Sequence, residues 1–255
     1  MRTLAVTGAA SGIGRAAAEG AAARGWNTIT VDIANADIAA DLSSSAGRKQ
    51  AIEGIVRQLA GRPLDGLIAC AGIAFGDPAK IVGVNFFGAT ELIGALRPQL
   101  ELGNQPRVVA ISSNAQLHMP ESELPLVEKC LAGDESGAGQ WVADKPDVAY
   151  YGSKRALSLW IKREAVLPQW TKPGVLLNAV APGATDTPMI RELLATAEGR
   201  EYLNQATPMR LGRAAQPQEL AELICFLASP ENSFMVGQTV YCDGGGEATL
   251  RPHSA

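Results

Sequence analysis

Short apolar runs alternate with longer stretches of helical periodicity from one end of the chain to the other. The first run, Thr3–Val6, leads into an alanine-rich stretch that ends near Arg24-Gly25, and the glycine-rich turn Thr7-Gly8-Ala9-Ala10-Ser11-Gly12-Ile13-Gly14 joins the two. Thr28–Val31 reads as the second strand, closed by Asp32, followed by a short strand around Asp37–Ala40 and a helix through Arg48–Leu59. Gly66–Cys70 is a fourth strand running into Ala71-Gly72, and a long helical stretch covers about Lys80–Leu100. The fifth strand, Arg107–Ile111, delivers Ser112-Ser113, and the sixth, Val175–Val180, leads into Ala181-Pro182-Gly183. In Pro217–Ser229 a first-turn proline and Glu219 precede Leu220, Leu223, Ile224 and Leu227 on one face, the pattern of a helix. Gln238–Cys242 is the last strand. Strands that are continuous apolar runs, alternating with helices, specify a parallel sheet covered on both faces. The expected fold is one doubly wound α/β domain of Rossmann type over residues 1–255, with about seven strands.

Composition narrows the function classes. The chain has 255 residues, 47% of them hydrophobic and 19% charged, which describes a globular protein with ample core. A formal net charge of −4 argues against a general affinity for nucleic acid or an anionic membrane. The four cysteines form no Cys-x-x-Cys pair and only two histidines accompany them, so no metal site is expected. Cys70 and Cys242 in strand-like runs and Cys225 in a helical one read as buried thiols in a reducing cytosol. No signal peptide precedes the first strand and no apolar run is long enough for a membrane span, which together lead to a cytoplasmic expectation.

Two constellations carry chemistry. Glycines in the first turn let the backbone approach a phosphate, and the free N–H groups at the following helix start hold a pyrophosphate. Asp32, 18 residues beyond Gly14, is placed to accept hydrogen bonds from both hydroxyls of an adenosine ribose and to repel a 2′-phosphate. No arginine or lysine stands at Ala9–Ser11 or at Ile33 to offset that repulsion, so NAD is favoured over NADP. In Tyr150-Tyr151-Gly152-Ser153-Lys154, residues four apart share a helix face, so Lys154 is expected beneath the Tyr150 hydroxyl. A nearby ammonium lowers a phenol from its usual value near 10 toward working pH. Ser113, leaving the fifth strand, is placed to bind a substrate oxygen beside that tyrosine.

With these residues in view, the chain resembles the short-chain dehydrogenase/reductase family over nearly its whole length. The matching motifs are Thr7-Gly8-x-x-x-Gly12-x-Gly14, Asp41-Leu42, Ala71-Gly72, Asn85, Ser113, Tyr150-x-x-x-Lys154 and Pro182-Gly183, with Met209-Arg210-Leu211-Gly212-Arg213 and Asp243-Gly244-Gly245 towards the end. The resemblance implies that Ser113 holds the carbonyl and that Tyr150 exchanges the proton. It further implies that Lys154 binds the nicotinamide ribose and tunes Tyr150, and that Asn85 holds a water feeding a proton relay. The cofactor would then lie along Gly8, Ser11, Gly12, Ile13, Gly14, Asp32, Ile33, Asp41, Leu42, Cys70, Ala71 and Gly72. From there it would reach Tyr150, Lys154, Pro182, Gly183, Thr185 and Thr187. Cys70 departs from the family, where many members carry asparagine before Ala-Gly.

A second departure is the gap of 36 residues between Ser113 and Tyr150, much longer than in most of the family. The insertion, residues 118–147, carries Leu124, Val127 and Leu131 as an apolar stripe. With the segment from Asn85 to Leu92 and the Leu250-Arg251-Pro252 end, it resembles the bacterial 3α-hydroxysteroid dehydrogenase/carbonyl reductase subgroup. Within it His118, Met119 and Trp141 are either substrate-pocket residues or, as the plainer reading has it, packing residues. Residues 189–206 are expected to form a helical flap whose Ile190, Leu193, Leu194 and Tyr202 turn an apolar underside to the substrate. The implied reaction is NAD-dependent interconversion of a secondary alcohol and a ketone, on a hydroxysteroid or similar hydrophobic cyclic carbonyl compound. A dehydrogenase of a small aromatic or terpenoid alcohol and an NAD-sensing binding protein without turnover are the alternatives. If the insertion covers the helices through which many family members form tetramers, the chain pairs instead as a homodimer through another face, such as Pro217–Ser229 with the final strand.

Overall fold

The computed structural model describes residues 1–253; Ser254 and Ala255, the end of the expected 1–255 domain, lie outside the described residues. The first half of the chain runs β1 (Thr3–Thr7), α1 (Gly12–Ala23), β2 (Asn27–Asp32), β3 (Ile38–Ala39), α2 (Ser45–Leu59) and β4 (Gly66–Ala69). Then come α3 (Pro78–Val82), a wide π-helical turn (Gly83–Gly88), α4 (Ala89–Ala95), α5 (Arg97–Glu101) and β5 (Arg107–Ile111). Two short helices, α6 (Leu124–Leu131) and α7 (Glu135–Trp141), precede the long α8 (Pro146–Glu164). The chain continues through α9 (Pro168–Thr171), β6 (Leu176–Pro182), α10 (Arg191–Ala195), α11 (Ala197–Ala206), α12 (Pro217–Leu227), β7 (Thr239–Cys242) and α13 (Gly246–Leu250).

The seven strands form one sheet in the order β3-β2-β1-β4-β5-β6-β7, and every pair is parallel. From β1 the chain moves outward to β2 and β3, then returns to place β4 on the other side of β1. A parallel sheet that reverses direction in this way opens a crevice beyond the carboxyl ends of the two central strands. Side chains alternate between faces with the period of two that a strand imposes. Leu4, Val6, Ile68, Val109 and Ile111 pack with Ala17, Leu220, Ile224 and Leu227 of α1 and α12. Ala5, Leu67, Val108 and Ala110 pack with Ile55, Leu92, Leu157 and Ile161 of α2, α4 and α8. Among the described residues, no helix is long and apolar enough to cross a membrane.

The predicted long helix over Lys80–Leu100 is not continuous. It is broken at the wide turn, where a Cβ on Gly83 would lie 2.9 Å from the Ser43 carbonyl oxygen and one on Gly88 3.2 Å from the Leu42 Cβ. The segment is thus pressed against the Asp41–Ser43 turn. Pro98, in the first turn of α5, ends α4 in turn.

The insertion docks on its own chain. Its buried face is Leu126, Val127 and Cys130, while the expected Leu124 and Leu131 are only half-buried, so the apolar stripe is turned from the predicted one. The reason is Gly152 of α8, where a Cβ would land on the Leu126 Cδ2 and 3.1 Å from the Met119 Cε. Leu126 therefore seats over a bare stretch of helix backbone. At the other end of the insertion the buried guanidinium of Arg48 bonds Glu135 of α7 at 2.6 and 3.0 Å, Glu91 of α4 at 2.7 Å and the Leu42 carbonyl at 3.2 Å.

Placing Ala at Gly152 should cost about 1–3 kcal/mol through overpacking. That outweighs the roughly 0.5–1 kcal/mol by which alanine is the better helix former. In a Leu126→Ala background the same Gly152→Ala change should be neutral or stabilising. Urea unfolding of the four proteins measures this, and equal costs in both backgrounds would refute the Leu126–Gly152 packing.

Candidate active site

The glycine turn occupies the crevice between β1 and β4. Gly8 and Gly12 have φ of +69° and +53°, which L side chains resist. A Cβ on Gly14 would collide with the Gly8 carbonyl, and one on Gly8 would lie 2.8 Å from the Ala71 Cα. The Thr7 hydroxyl accepts hydrogen bonds from the Cys70 and Ala71 N–H groups at 3.1 and 3.0 Å, joining the two strand ends. Helix α1 starts after Ser11 with neither a side-chain cap nor an acidic residue in its first turn. Its N–H groups and positive dipole end therefore face the cleft, as an anion-binding helix start requires. The Asp32 carboxylate is held by the turn itself, Oδ2 accepting from Ala10 N–H at 2.9 Å and Oδ1 from Ile33 N–H at 2.7 Å. A carboxylate oxygen keeps a lone pair beyond each of these bonds. Asp41 accepts from Ser43, which holds its carboxyl below the usual range.

One cavity of about 580 Å³ opens over this turn. Every residue expected to hold the cofactor borders it, together with Ser113. Ser113 is buried at the end of β5, and its oxygen also accepts from Ala115 N–H at 3.1 Å. The next residue, Asn114, donates to Asp243 Oδ2 at 3.2 Å, so the Asp243-Gly244-Gly245 segment braces the serine from behind. Gly72 leaves room for Lys154, because a Cβ there would lie 3.1 Å from both the Lys154 Nζ and the Asn85 Oδ1.

Asn85 does not border the cavity. Its amide is fully buried in the wide turn, where it accepts from Ile73 N–H at 2.9 Å and donates to the Ile73 carbonyl at 3.0 Å and to Ser153 Oγ at 3.2 Å. It clamps the loop that follows β4 to α8. Wide turns of this kind within α-helices occur frequently at functional sites.

The electrostatics of Tyr150 and Lys154 differ from the sequence expectation. Burial pushes the Tyr150 phenol up, and its hydrogen bond with Ser113 pulls it only partway back. Lys154 Nζ donates to the Ile111 carbonyl at 2.8 Å, and burial lowers its ammonium to about 8. Burial likewise raises the Cys70 thiol to about 12. Desolvation thus dominates at both groups, and the tyrosine keeps its proton.

Helices α10 and α11 occupy the segment read as a flap. Ile190, Leu193 and Tyr202 border the cavity as predicted, while Leu194 does not and Leu203 takes its place. His118, Met119 and Trp141 lie off the cavity lining. Met119 is buried against α8, and His118 Nε2 is hydrogen bonded to the Ala206 carbonyl at the flap's end. Trp141 donates to Glu123 at 2.9 Å beneath the Lys145 ammonium, inside the insertion. Asp147 and Lys80 border the cavity unforeseen. No local motif marks either of them; only the folding of α8 and α3 brings them there.

Comparison with known proteins agrees with this architecture. The family model described as short chain dehydrogenase matches residues 2–124, and one described as enoyl-(acyl carrier protein) reductase matches residues 135–247. The 3-alpha-hydroxysteroid dehydrogenase/carbonyl reductase of Comamonas testosteroni is 38% identical over 260 residues, covering 99% of both chains. The coniferyl-alcohol dehydrogenase of a Pseudomonas strain is 29% identical, covering 96% of both. The crystal structure of the 3-alpha-hydroxysteroid dehydrogenase from Pseudomonas sp. B-0831 complexed with NADH superposes with a TM-score of 0.92 at 38% identity, over 99% of this chain and 100% of that one. The chain belongs to the short-chain dehydrogenase family, and it is an oxidoreductase of that family.

The lowered Lys154 has a consequence for stability. Between about 8 and its ordinary 10.5 the unfolded chain holds a proton on Lys154 that the folded chain has released. Stability rises with pH wherever the unfolded state binds more protons, so Lys154 makes the cofactor-free protein gain stability across that window. The difference in unfolding free energy between wild type and Lys154→Met should change by roughly 2–3 kcal/mol from pH 8 to 10.5. A flat difference curve would show that Lys154 keeps its ordinary affinity for the proton.

Proposed function

We propose that this NAD-dependent oxidoreductase interconverts a secondary alcohol and a ketone on a hydroxysteroid or similar hydrophobic cyclic carbonyl compound. The observation that carries the reading is the single cavity in which Ser113, Tyr150 and Lys154 stand between the glycine turn and the apolar flap. The glycine turn, the bare start of α1 and Asp32 suit the pyrophosphate and the adenosine ribose of the dinucleotide. When bound, NADH supplies the hydride. In the reductive direction, the Ser113 and Tyr150 hydroxyls hold the carbonyl oxygen, and Tyr150 passes its proton to that oxygen as negative charge develops there. A phenol raised by burial enters this step protonated, as an acid must. The Lys154 ammonium then steadies the phenolate that remains. Because the Asn85 amide is committed to Ile73 and Ser153, its part is to position the loop beside Lys154.

Likeness to the two 3-alpha-hydroxysteroid dehydrogenases, together with the Ile190, Leu193 and Leu203 wall, supports a hydrophobic cyclic substrate. Likeness to a coniferyl-alcohol dehydrogenase favours a small aromatic alcohol as the second reading. A screen of steroid, cyclic and aryl ketones followed by NADH absorbance separates them. The reading also includes a cytoplasmic setting and a single domain over 1–255.

Tyr150→Phe should lower kcat by at least about a thousandfold with NADH binding nearly intact, since the proton donor is gone. Tyr151→Phe should mainly change substrate affinity. Comparable losses of kcat in the two variants would refute the assignment of the acid. Replacing Asp32 by alanine and Ile33 by arginine should turn the NADH preference towards NADPH by more than about tenfold, by removing an anion and supplying a partner for the 2′-phosphate. Wild-type protein that used both cofactors equally would overturn the role of Asp32. Because α6 and α7 already cover α3 and α8, we expect assembly as a closed pair through α12 and β7. Sedimentation equilibrium giving a tetramer at micromolar protein would contradict that pairing.

A further inference from the structure

Asp41, Leu42 and Ser43, in the turn that follows β3, border the cavity together with Lys80 and Val84 of the segment after β4. Along the carboxyl edge of the sheet the strands run β3, β2, β1, β4 and β5. With a pyrophosphate at the glycine turn after β1 and a ribose at Asp32, which ends β2, the base of a dinucleotide falls against the turn after β3. That turn is packed without slack. A Cβ on Gly47 would collide with the Asp41 carbonyl, and one on Gly83 or Gly88 would crowd Ser43 and Leu42.

A single guanidinium ties the turn to the insertion. Arg48 Nη1 donates both to the Leu42 carbonyl at 3.2 Å and to Glu135 Oε1 at 3.0 Å. Its Nη2 donates to Glu135 Oε2 at 2.6 Å, and its Nε to Glu91 at 2.7 Å. The Arg48 side chain is only 1% exposed, while Glu135 reaches it from the surface. Desolvation works against this cation, and the bonds to Glu135 and Glu91 more than offset it, so Arg48 holds its proton above the ordinary arginine range. A two-pronged carboxylate fixes the plane of a guanidinium. Glu91 holds only Nε, so the plane that aims Nη1 at Leu42 is set by Glu135. Helix α7, which carries Glu135, also lies against α3, where a Cβ on Gly139 would stand 3.2 Å from the Ala79 Cβ, next to Lys80.

We infer that Glu135, a residue of the insertion outside the cavity, is a positioning residue for the cofactor: through Arg48 it holds the Asp41-Leu42 turn in the shape that receives the adenine end of NADH. Glu135 does not border the cavity, so it acts only through that turn. Its effect is confined to the adenosine half of the cofactor, since Ser113, Tyr150 and Lys154 stand on the other side of the glycine turn, at β5 and α8. The inference rests on the proposed placement of the dinucleotide along Asp32 and Asp41.

The test is calorimetric binding of two half-ligands to the full chain. ADP-ribose keeps the adenosine and lacks the nicotinamide, and reduced nicotinamide mononucleotide is the reverse. Glu135→Gln should weaken ADP-ribose and NADH by about tenfold, the effect of one lost charge-assisted anchor, and leave the mononucleotide within about twofold. With a ketone that is turned over, KM for NADH should rise with the Kd while kcat at saturating NADH stays within about twofold. Arg48→Met, which puts an apolar chain in place of the buried cation, should show the same loss of ADP-ribose affinity. The double variant should lose no more than either single one, because the two side chains act as one unit. Asp41→Ala is the reference for the placement and should weaken ADP-ribose as well. Unchanged ADP-ribose affinity in Glu135→Gln, with a loss in Asp41→Ala, would overturn the inference and leave the cofactor placement standing. Parallel losses for both half-ligands, or losses that add in the double variant, would do the same. An Asp41→Ala protein that binds ADP-ribose like wild type would overturn the placement of the adenine end, and the inference with it.

Discussion

The architecture depends on how closely α1 approaches the end of β1. Only hydrogen fits between Gly14 and the Gly8 carbonyl, and Gly8 in turn lies against the backbone of Ala71. These contacts place a helix start, with its unpaired N–H groups, over the crevice that the strand order opens. Larger side chains at either glycine would lift the helix and fill the space above the turn. Asp32 reaches back to the same turn through Ala10, so its carboxylate and the glycine turn move as one unit.

The second half of the site is held from outside by the insertion. Met119 and Leu126 close over Gly152, two residues from Lys154 and Tyr150, and Arg48 ties α7 to α2, α4 and the Asp41-Leu42 turn. Removing one partner of a buried, multiply bonded guanidinium leaves uncompensated charge, so this junction sets geometry more firmly than an exposed ion pair would. The insertion thereby takes over, within one chain, surfaces of α3 and α8 that would otherwise be free to meet another subunit.

Desolvation governs the chemistry at the centre. Burial raises Tyr150 and lowers Lys154, which favours the neutral form of both. The tyrosine thus keeps its proton, with Ser113 beside it. Asn85, Ser112 and Ser153 each spend their polar atoms on holding α8 and the loop after β4 in place, and none of those bonds reaches into the cavity.

Local pattern was enough to read the strand succession, the glycine turn, Asp32 at the end of β2, Ser113 at the end of β5 and the Tyr150–Lys154 spacing. Each of these is set by short-range physics, namely apolar runs, positive φ at glycine or a helical repeat of four. β5 was read to the residue because both of its faces are buried, so its apolar run has sharp ends. The break in the helix after Lys80 escaped, because it is imposed by the Ser43 carbonyl and the Leu42 side chain, some 40 residues away in the chain. The insertion's buried face escaped for the same reason: Leu126 is chosen over Leu124 by the bare backbone at Gly152, which no helical wheel of the insertion contains. Asp147 looked like an ordinary acidic residue in a first helical turn. Only the folded chain brings it to the rim of the cavity, since side chains from distant segments share a site only once the sheet has brought their supporting elements together.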